Sequence, residues 1–287
     1  MTSGADPSAI RNSITRVLTI ASSDSGGGAG IQADLKAFAR CGAHGMSAIV
    51  ALTAQSTVGV SAIEQLPPGF VREQIRAVLD DIGAGAAKTG MLFSSAIIGA
   101  VADELAGRDL PLVVDPVMVA SSGARLLLPE AVSTLIVRLF PLATVVTPNL
   151  PEAQALTGLV TEDRAALAER LVAMGAAAAL VTGGHGAEPA DHLFDGRRHL
   201  SIPVPRYDVE ATHGAGCTHS AALAAGLAAG LPLPDAARQA TQVASDAVKH
   251  GLAGIGGGDG PVHALHCLQG GTPAPPQTTA LDGLTLC

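Results

Sequence analysis

Short apolar runs alternate with segments of helical periodicity along most of the chain. The runs at residues 16–22, 47–53, 86–89, 111–115, 144–147 and 178–182 predict buried strands. Residues 58–66 suit a short strand or a flap, and residues 191–195 and 199–204 predict a hairpin. Helices are predicted after the first strand, where Ile31, Leu35 and Phe38 share a face, and at residues 68–82, 94–106, 129–139, 151–157, 161–174, 215–229 and 234–252.

This order of elements predicts an α/β fold. Strands that alternate with helices form right-handed βαβ units, so the sheet should be mostly parallel and covered by helices on both faces. No internal repeat or linker divides the chain, and we expect one domain over residues 15–268. Residues 1–14 and the tail at residues 269–287, which is rich in Gly, Pro and Thr, are expected to be disordered.

Polar residues follow several of the predicted strands. Asp24, Gln55, Asp115 and Asn149 each come at or just after the carboxyl end of a strand. In a parallel α/β sheet the ligand crevice lies beyond these ends. The sequence therefore predicts a binding site at that edge of the sheet.

The segment T-H-G-A-G-C-T at residues 212–218 leads directly into a helix rich in Ala and Leu. Small residues let a phosphate approach the backbone, and the first amides of a helix have no intrahelical partner. Cys217 would lie in the first turn, where the helix dipole should lower the thiol pKa from about 8.5. The segment suggests phosphoryl transfer to a hydroxyl group. The alternative is a Gly-rich turn that enters a core helix with an inert cysteine.

Composition narrows the class of ligand. The net charge is −8, with one Tyr and no Trp, which disfavours phosphate contacts and base stacking with a nucleic acid. The four cysteines form no C-x-x-C pair, which disfavours a zinc or redox motif and fits a reducing cytoplasm. Residues 1–13 lack the apolar core of a secretory signal, and the apolar stretch at residues 221–231 is shorter than the about 20 residues that span a bilayer. We expect a cytoplasmic protein without a membrane or nucleic-acid partner.

Two common nucleotide motifs are missing from the sequence. No Gly-Lys dipeptide occurs, so there is no Walker loop. The run G-G-G-A-G at residues 26–30 does not fit G-x-G-x-x-G, because Ile31 occupies the last glycine position. These glycines instead favour the close approach of a small substrate to the backbone.

A series of motifs spans about residues 15–266. They are L-T-I-A at 18–21, D-S-G-G-G-A-G-I-Q-A-D-L-K at 24–36, T-A-Q-S-T-V-G-V at 53–60, A-K-T-G-M at 87–91, V-D-P-V-M at 114–118, T-P-N-L-P-E-A at 147–153, G-G-H at 183–185, the run at 212–218, and G-P-V at 260–262. In content and order they closely resemble the bacterial hydroxymethylpyrimidine/phosphomethylpyrimidine kinases, thiamine-biosynthesis enzymes of the ribokinase superfamily. The resemblance implies a ribokinase-like three-layer α/β/α fold with a central, mostly parallel sheet, and a homodimer.

The resemblance also implies a reaction. MgATP would phosphorylate the hydroxymethyl group of 4-amino-5-hydroxymethyl-2-methylpyrimidine, and then convert the monophosphate to the pyrophosphate. Cys217 matches the base that takes the hydroxyl proton, at a position where the sugar-kinase branch has an Asp. The backbone around Gly214, Ala215 and Gly216 would stabilise charge on the transferring phosphoryl group.

The remaining site residues follow from the same motifs. Gln55 matches the family's pyrimidine contact, because an amide offers a donor and an acceptor to an aminopyrimidine edge. Thr53 is assigned to the same substrate site. Asp34 is expected to make a second contact, against the alternative of an ordinary acid on a helix surface.

ATP and Mg²⁺ are the implied cofactors. Asn149 and Glu152 match the superfamily's N-x-x-E motif, which organises Mg²⁺ through water and the triphosphate, although a helix N-terminus would also explain Glu152. Asp115 is placed near the phosphates or the metal, with a turn residue before a proline as the alternative. Thr182 and Gly184 are assigned to ATP binding.

The sequence departs from the family at two expected cations. Thr182 stands where a lysine usually precedes G-G-H, and A-S-S-G at residues 120–123 replaces A-K-S-G, with Ser121 at the lysine position. Each charge-assisted contact is worth about 1.5–3 kcal/mol, so slower transfer or weaker binding is expected unless Arg125 compensates. In addition, G-A-G-C replaces G-T-G-C, which removes a hydroxyl donor.

Two alternative functions stay open at this stage. A pyridoxal or pyridoxine kinase also phosphorylates a hydroxymethyl group on a flat nitrogen ring. A catalytically weakened pyrimidine-binding or regulatory protein is suggested by Thr182 and Ser121. Near the chain end, His263, His266 and Cys267 invite a metal interpretation, but their position favours surface packing.

Overall fold

The computed structural model describes residues 14–119, 123, 126–184 and 189–269. The segments expected to be disordered, residues 1–14 and 269–287, lie almost wholly outside the described residues, and so do Ser121 and Arg125. The domain bounds therefore stay predictions.

Nine strands form one sheet in the described part of the chain. They are β1 Arg16–Asp24, β2 His44–Ser56, β3 Gly59–Gln65, β4 Ala86–Thr89, β5 Leu112–Val114, β6 Val145–Val146, β7 Ala179–Val181, β8 Ala190–Phe194 and β9 His199–Pro203. Their order in the sheet is β3-β2-β1-β4-β5-β6-β7-β8-β9. Strands β2, β1, β4, β5, β6 and β7 are parallel, whereas β3 and the β8–β9 hairpin pair antiparallel.

Helices cover both faces of this sheet. They are α1 Gly30–Arg40, α2 Pro68–Ala77, α3 Ser95–Leu105, α4 Ala131–Leu139, α5 Leu150–Thr157, α6 Arg164–Ala173, α7 Ala215–Ala228 and α8 Leu233–Lys249. Helices α2 to α6 share one hydrophobic cluster with the sheet, and α1, α7 and α8 share the other. The predicted three-layer α/β/α architecture is confirmed.

The interior strand β1 shows why a buried strand can be predicted from its sequence. Leu18 and Ile20 are buried in one cluster, and Val17 is buried in the other. A parallel strand that is covered on both faces has a nearly continuous apolar sequence rather than an alternating one. This burial fixes β1 in the interior of the sheet, between β2 and β4, with Asp24 at its carboxyl end.

Helix α7 is built from small residues because it packs closely against its neighbours. Residues 221–225 are almost fully buried, and a Cβ atom at Gly226 would lie 3.0 Å from the Cβ atom of Ala236 in α8. Interiors packed at this density do not accept added volume without strain. The Ala-rich run thus holds the N-terminus of α7 at the ends of the strands.

The second helix differs in type from the sequence prediction over its last residues. The helix expected at residues 68–82 ends as α-helix at Ala77 and continues as a π turn over Val78–Ile82. Of the two alternatives for residues 58–66, the structure shows the strand, because β3 spans Gly59–Gln65 and pairs with β2 at the edge of the sheet. No helix in the described part of the chain is long and apolar enough to cross a membrane.

Candidate active site

A cavity lies at the carboxyl ends of the parallel strands, where the strand-end polar residues predict a site. Of the predicted site residues, its wall contains Gln55, Asp115, Asn149, Glu152, Thr182, Gly214, Gly216 and Cys217. Other polar side chains of this wall include Asp24, which the strand-end pattern predicts, and Lys88 and His213, which it does not. Four predicted residues do not line it: Asp34, Thr53, Gly184 and Ala215.

The turn before α7 has a conformation that requires glycine. Gly214 has a φ of 84°, and a Cβ atom there would lie 1.8 Å from the carbonyl oxygen of Gly28. The amide of Ala215 donates to the carbonyl of Thr212 at 3.1 Å, so it is already engaged within the turn. The prediction that all three backbone positions form the anion site is therefore corrected, and Gly214 and Gly216 remain on the wall.

Cys217 is partly exposed and lines the cavity at the first turn of α7. The expectation that its pKa is lowered is wrong. Burial raises the pKa of the Cys217 thiol to about 12, although Lys88 lowers it, and the carboxylates of Asp34 and Asp115 raise it further. The cost of a buried thiolate near two acids thus exceeds the stabilisation from Lys88 and from the helix N-terminus.

A buried charge cluster lies beneath Cys217. Lys88 Nζ is 2.7 Å from Asp34 Oδ1 and 3.9 Å from Asp115 Oδ2, and both Lys88 and Asp34 have no exposed surface. Burial opposes the charge on Lys88, but Asp34, Cys217 and Asp115 outweigh it, and the pKa of Lys88 is raised. Lys88 is therefore a charged group in the cavity wall. Its signal in the sequence is a lysine inside an otherwise buried strand, A-A-K-T.

Asp34 does not lie where the sequence prediction put it. Its carboxylate accepts hydrogen bonds from Lys88 and from Thr19 Oγ1, at 2.7 and 2.6 Å. Burial raises the pKa of Asp34 despite these two partners. Both oxygens are engaged below the cavity surface, so the expected direct substrate contact is corrected to a role in holding Lys88.

Gln55 reaches the cavity from the end of β2, and its neighbours orient it. Thr53 Oγ1 donates to Gln55 Oε1 at 3.1 Å, so Thr53 acts on the site through Gln55. His213 Nε2 lies 3.4 Å from Gln55 Nε2 and 3.1 Å from Asp24 Oδ2. Asp24 also accepts the amides of three residues in the Gly-rich turn, Gly26, Gly28 and Ala29. The Asp24 carboxylate thus joins the Gly-rich turn at residues 26–30 to the turn before α7.

Asn149 and Glu152 form a capping box at the start of α5. Asn149 Oδ1 accepts the Glu152 amide at 2.9 Å, and Glu152 Oε2 accepts the Asn149 amide at 3.0 Å. This geometry satisfies two free amides of the helix, so part of the N-x-x-E motif is structural. Burial and the nearby Asp115 nevertheless raise the pKa of Glu152 to about 8. The cavity wall therefore contains a carboxyl group whose ionised form is destabilised.

The raised pKa of Glu152 predicts that the stability of the fold depends on pH. Because the folded-state pKa of Glu152 is raised to about 8, the folded protein holds a proton that the unfolded chain releases at lower pH. The free energy of unfolding without Mg²⁺ should therefore fall as the pH rises from about 5 to about 9, by about 1 kcal/mol or more. Urea unfolding of the wild type and of Glu152→Gln at several pH values measures this fall. It should be smaller in Glu152→Gln, and an equal fall in both proteins would contradict the assignment.

Asp115 and Glu152 offer a donor set that fits Mg²⁺. Burial raises the pKa of Asp115, and Ser220 Oγ donates to its carboxylate at 2.8 Å. A divalent cation would relieve the repulsion between the two acids, and Mg²⁺ commonly binds one or two carboxylates while it keeps water and phosphate ligands. Among the described residues no group of three His, Cys, Asp or Glu side chains could hold a metal ion by itself. A Mg²⁺ ion here would depend on phosphate oxygens.

Thr182 and Gly184 lie at the end of β7. The Thr182 amide donates to the Pro148 carbonyl at 2.9 Å, which joins this segment to Asn149. Thr182 lines the cavity, whereas Gly184 is exposed and lies outside the wall. The structure therefore brings Thr182, but not Gly184, to the predicted ATP side of the cavity.

The histidines near the chain end lie apart from this cavity. His250 and His266 stack with ring centroids 4.0 Å apart, and Arg40 Nη1 donates to Cys267 Sγ at 2.8 Å. The structure finds no group of three possible metal ligands in the part of the chain that it describes, and the surface-packing interpretation of His263, His266 and Cys267 stays a prediction.

The family model and the curated relatives agree on one family. The family model of phosphomethylpyrimidine kinase matches residues 24–263. A hydroxymethylpyrimidine/phosphomethylpyrimidine kinase from Streptomyces coelicolor is 48% identical over 250 residues, which cover 86% of this chain and 93% of the relative. The chain is also similar to the solved structure of an ADP complex of Bacillus subtilis pyridoxal kinase, with a TM-score of 0.82, 36% identity, and coverage of 90% and 100% of the two chains. For phosphomethylpyrimidine kinase from Clostridium difficile the TM-score is 0.73, with 40% identity and coverage of 82% and 100%.

Proposed function

The chain belongs to the phosphomethylpyrimidine kinase family, and on this premise we propose that it uses ATP to phosphorylate 4-amino-5-hydroxymethyl-2-methylpyrimidine and then its monophosphate. The observation that carries this proposal is the single cavity wall shared by Cys217, the glycine turn before α7 and the Asp115–Glu152 pair. Phosphoryl transfer needs an aligned hydroxyl group, an anion site and a counter-charge for the triphosphate. In this wall, Cys217 would act on the hydroxyl group, the glycine turn would bind the phosphoryl oxygens, and Asp115 and Glu152 would hold a cation as the counter-charge.

Cys217 is the proposed acceptor of the hydroxyl proton. An oxygen–phosphorus bond forms to the substrate as the bond between the γ-phosphorus and ADP breaks, and the hydroxyl proton passes to sulfur. With a pKa of about 12, most Cys217 side chains hold a proton at neutral pH, so the reactive form is the minor thiolate. The ammonium group of Lys88 stabilises that thiolate. The glycine turn binds the charge that develops on the phosphoryl oxygens.

Gln55 is the proposed reader of the pyrimidine edge. An amide can donate to a ring nitrogen and accept from an exocyclic amine, which matches an aminopyrimidine. Thr53 orients this amide, and Asp34 acts only through Lys88. Asp24 and His213 hold the Gly-rich turn on which the flat ring would lie.

Asn149, Glu152, Asp115 and Thr182 are the proposed residues on the ATP side. Mg²⁺ would be held by Glu152 and Asp115, with water and phosphate oxygens as its other ligands. When it is bound, the ion neutralises charge on the triphosphate. Thr182 has a hydroxyl group where the resemblance implies a lysine, so position 182 supplies no positive charge for the triphosphate.

Glu152→Gln separates the metal role of Glu152 from its capping role. Glutamine can also accept in a capping box, so the variant should fold like the wild type. Loss of the carboxylate should raise the Mg²⁺ concentration for half-maximal activity about tenfold. Mg²⁺ titration of the initial rate measures this, with thermal unfolding as the folding control. An unchanged Mg²⁺ requirement in a folded variant would remove Glu152 from the metal site.

Coupled ADP release tests the function directly. Hydroxymethylpyrimidine, its monophosphate and pyridoxal are assayed in parallel with the same enzyme preparation. Turnover of the first two with the higher kcat/KM supports the proposal. Ligand binding without ADP release would instead identify a weakened binding protein.

Pyridoxal kinase activity is the second candidate. The observation that favours it is the TM-score of 0.82 with the pyridoxal kinase of Bacillus subtilis, against 0.73 for the phosphomethylpyrimidine kinase of Clostridium difficile. Pyridoxal also presents a hydroxymethyl group on a flat nitrogen ring. A higher kcat/KM with pyridoxal in the parallel assay would decide for it.

A homodimer and a cytoplasmic location complete the proposal. The dimer rests on the family resemblance, and the location rests on the four cysteines, which form no C-x-x-C pair and fit a reducing compartment. Light scattering of the purified protein measures the mass in solution. A mass of one chain, 28.5 kDa, at micromolar concentration would contradict the dimer.

A further inference from the structure

A buried carboxylate outside the cavity joins the nucleotide side of the proposed site to the helix that carries Cys217. Asp191 lies on β8 and is 3% exposed. Its Oδ1 accepts the Gly183 amide at 2.7 Å. Its Oδ2 accepts from Thr241 Oγ1 at 2.6 Å and lies 3.0 Å from His219 Nε2. Three elements distant in sequence thus meet at one side chain.

The contact with Gly183 fixes the segment that follows β7. Thr182, the preceding residue, lines the cavity and donates its amide to Pro148. Gly183 has no room for a side chain, because a Cβ atom there would lie 2.1 Å from the Ala190 carbonyl oxygen. The segment is therefore held on one side by the start of α5 and on the other by Asp191.

The contact with His219 fixes the start of α7. His219 follows Cys217 by two residues and is 5% exposed. Its Nδ1 has no hydrogen-bond partner among the described residues, so the contact with Asp191 is the one that orients the ring. The next residue, Ser220, donates to Asp115. The first turns of α7 are thus anchored to two acids, one inside the cavity and one behind it.

We propose that Asp191 is a positioning residue for nucleotide binding, because it holds the segment of Thr182 and Gly183 in register with the N-terminus of α7. The inference rests on the proposed function, since it takes the side of Thr182 as the nucleotide side. The ligand is a nucleoside di- or triphosphate with its magnesium ion. Asp191 does not touch it and acts through the Gly183 amide and His219.

A merely stabilising role makes a different prediction. Asp191 is buried with three partners, so its loss lowers stability in either case. Only a positioning role changes the affinity for nucleotide in protein that is still folded. Thr241 offers a matched control, because its hydroxyl contacts the same carboxylate from α8 and has no link to the cavity.

The test is calorimetric titration of the folded proteins with MgADP. Asp191→Ala removes all three contacts and should weaken MgADP binding about tenfold, the effect of losing one well-formed hydrogen bond. Thr241→Val should stay within about twofold of the wild type, although its melting temperature falls. Asp191→Asn keeps an acceptor for the Gly183 amide and should bind MgADP more tightly than Asp191→Ala.

The possible outcomes are distinct. Asp191→Ala with wild-type affinity, or Thr241→Val with an equal loss, overturns the inference. If Asp191→Ala does not fold, Asp191→Asn decides through the ratio of KM for ATP to KM for the pyrimidine. A rise confined to ATP supports positioning, and equal changes overturn it. A wild-type protein that binds no MgADP contradicts the proposed function instead.

Discussion

Cys217→Ala should lower kcat by about 10²-fold or more, while the protein folds and binds MgADP like the wild type. The side chain lines the cavity beside the glycine turn, so its removal takes away the proposed proton acceptor without disturbing the buried part of α7. Steady-state kinetics with the pyrimidine substrate measure the loss. Near-wild-type turnover would exclude Cys217 from the mechanism.

The pH profile tells a base from a residue that only shapes the cavity. Because the pKa of Cys217 is raised to about 12, the thiolate fraction is small at neutral pH and grows with pH. If chemistry limits turnover, kcat should rise by up to about tenfold per pH unit between about pH 7 and 9. Cys217→Ser keeps a hydroxyl of similar size but should lose both the rate and the slope. A wild-type profile that is flat, or a slope retained in Cys217→Ser, would contradict proton transfer to sulfur.

Lys88→Met should lower the free energy of unfolding by about 3–5 kcal/mol, which is the usual result of removing one partner from a buried ion pair. Methionine fills much of the space of the lysine chain but leaves Asp34 without its counter-charge in a fully buried position. The loss should be smaller at low pH, because a protonated Asp34 is neutral. Urea unfolding with linear extrapolation measures it.

A double variant shows whether charge or packing causes this loss. Replacing a buried pair on both sides by apolar residues of similar size is often close to neutral. Lys88→Met combined with Asp34→Leu should therefore recover most of the stability lost in Lys88→Met. Activity should stay low, because Lys88 also faces Asp115 and stabilises the Cys217 thiolate. A double variant no more stable than Lys88→Met would mean that packing, not charge, dominates at this position.

The sequence predicted the order of the elements because each strand and helix is buried in a regular way. Strand β4 has the predicted bounds, Ala86–Thr89, and helix α4 begins two residues later than predicted and ends where predicted, at Leu139. The polar residues at strand ends also come together as expected, since the carboxyl ends of parallel strands share one edge. Periodicity indicates which face of an element is buried, and parallel topology places the carboxyl ends of the strands at one edge.

The charged groups were predicted less well, because their partners are far away in the sequence. Lys88 and Asp34 are 54 residues apart, and Asp191 and Thr241 are 50 apart. Asp34 lies on a helix, where the sequence predicts a substrate contact, but tertiary packing buries it against Lys88. No local pattern in the sequence distinguishes an acid that contacts a substrate from an acid that is buried against a lysine.

The sequence by itself determined the α/β architecture, the edge at which the site lies, and the types of group available there. Only the tertiary structure decided which of these groups are free to act. It engages the amide of Ala215, raises the pKa of Cys217 where a helix N-terminus alone would lower it, and makes Glu152 both a member of a capping box and an acid with a raised pKa. The physical reason is that burial patterns are encoded locally, whereas desolvation and Coulomb interactions depend on every charged group within a few ångströms, whatever its place in the chain.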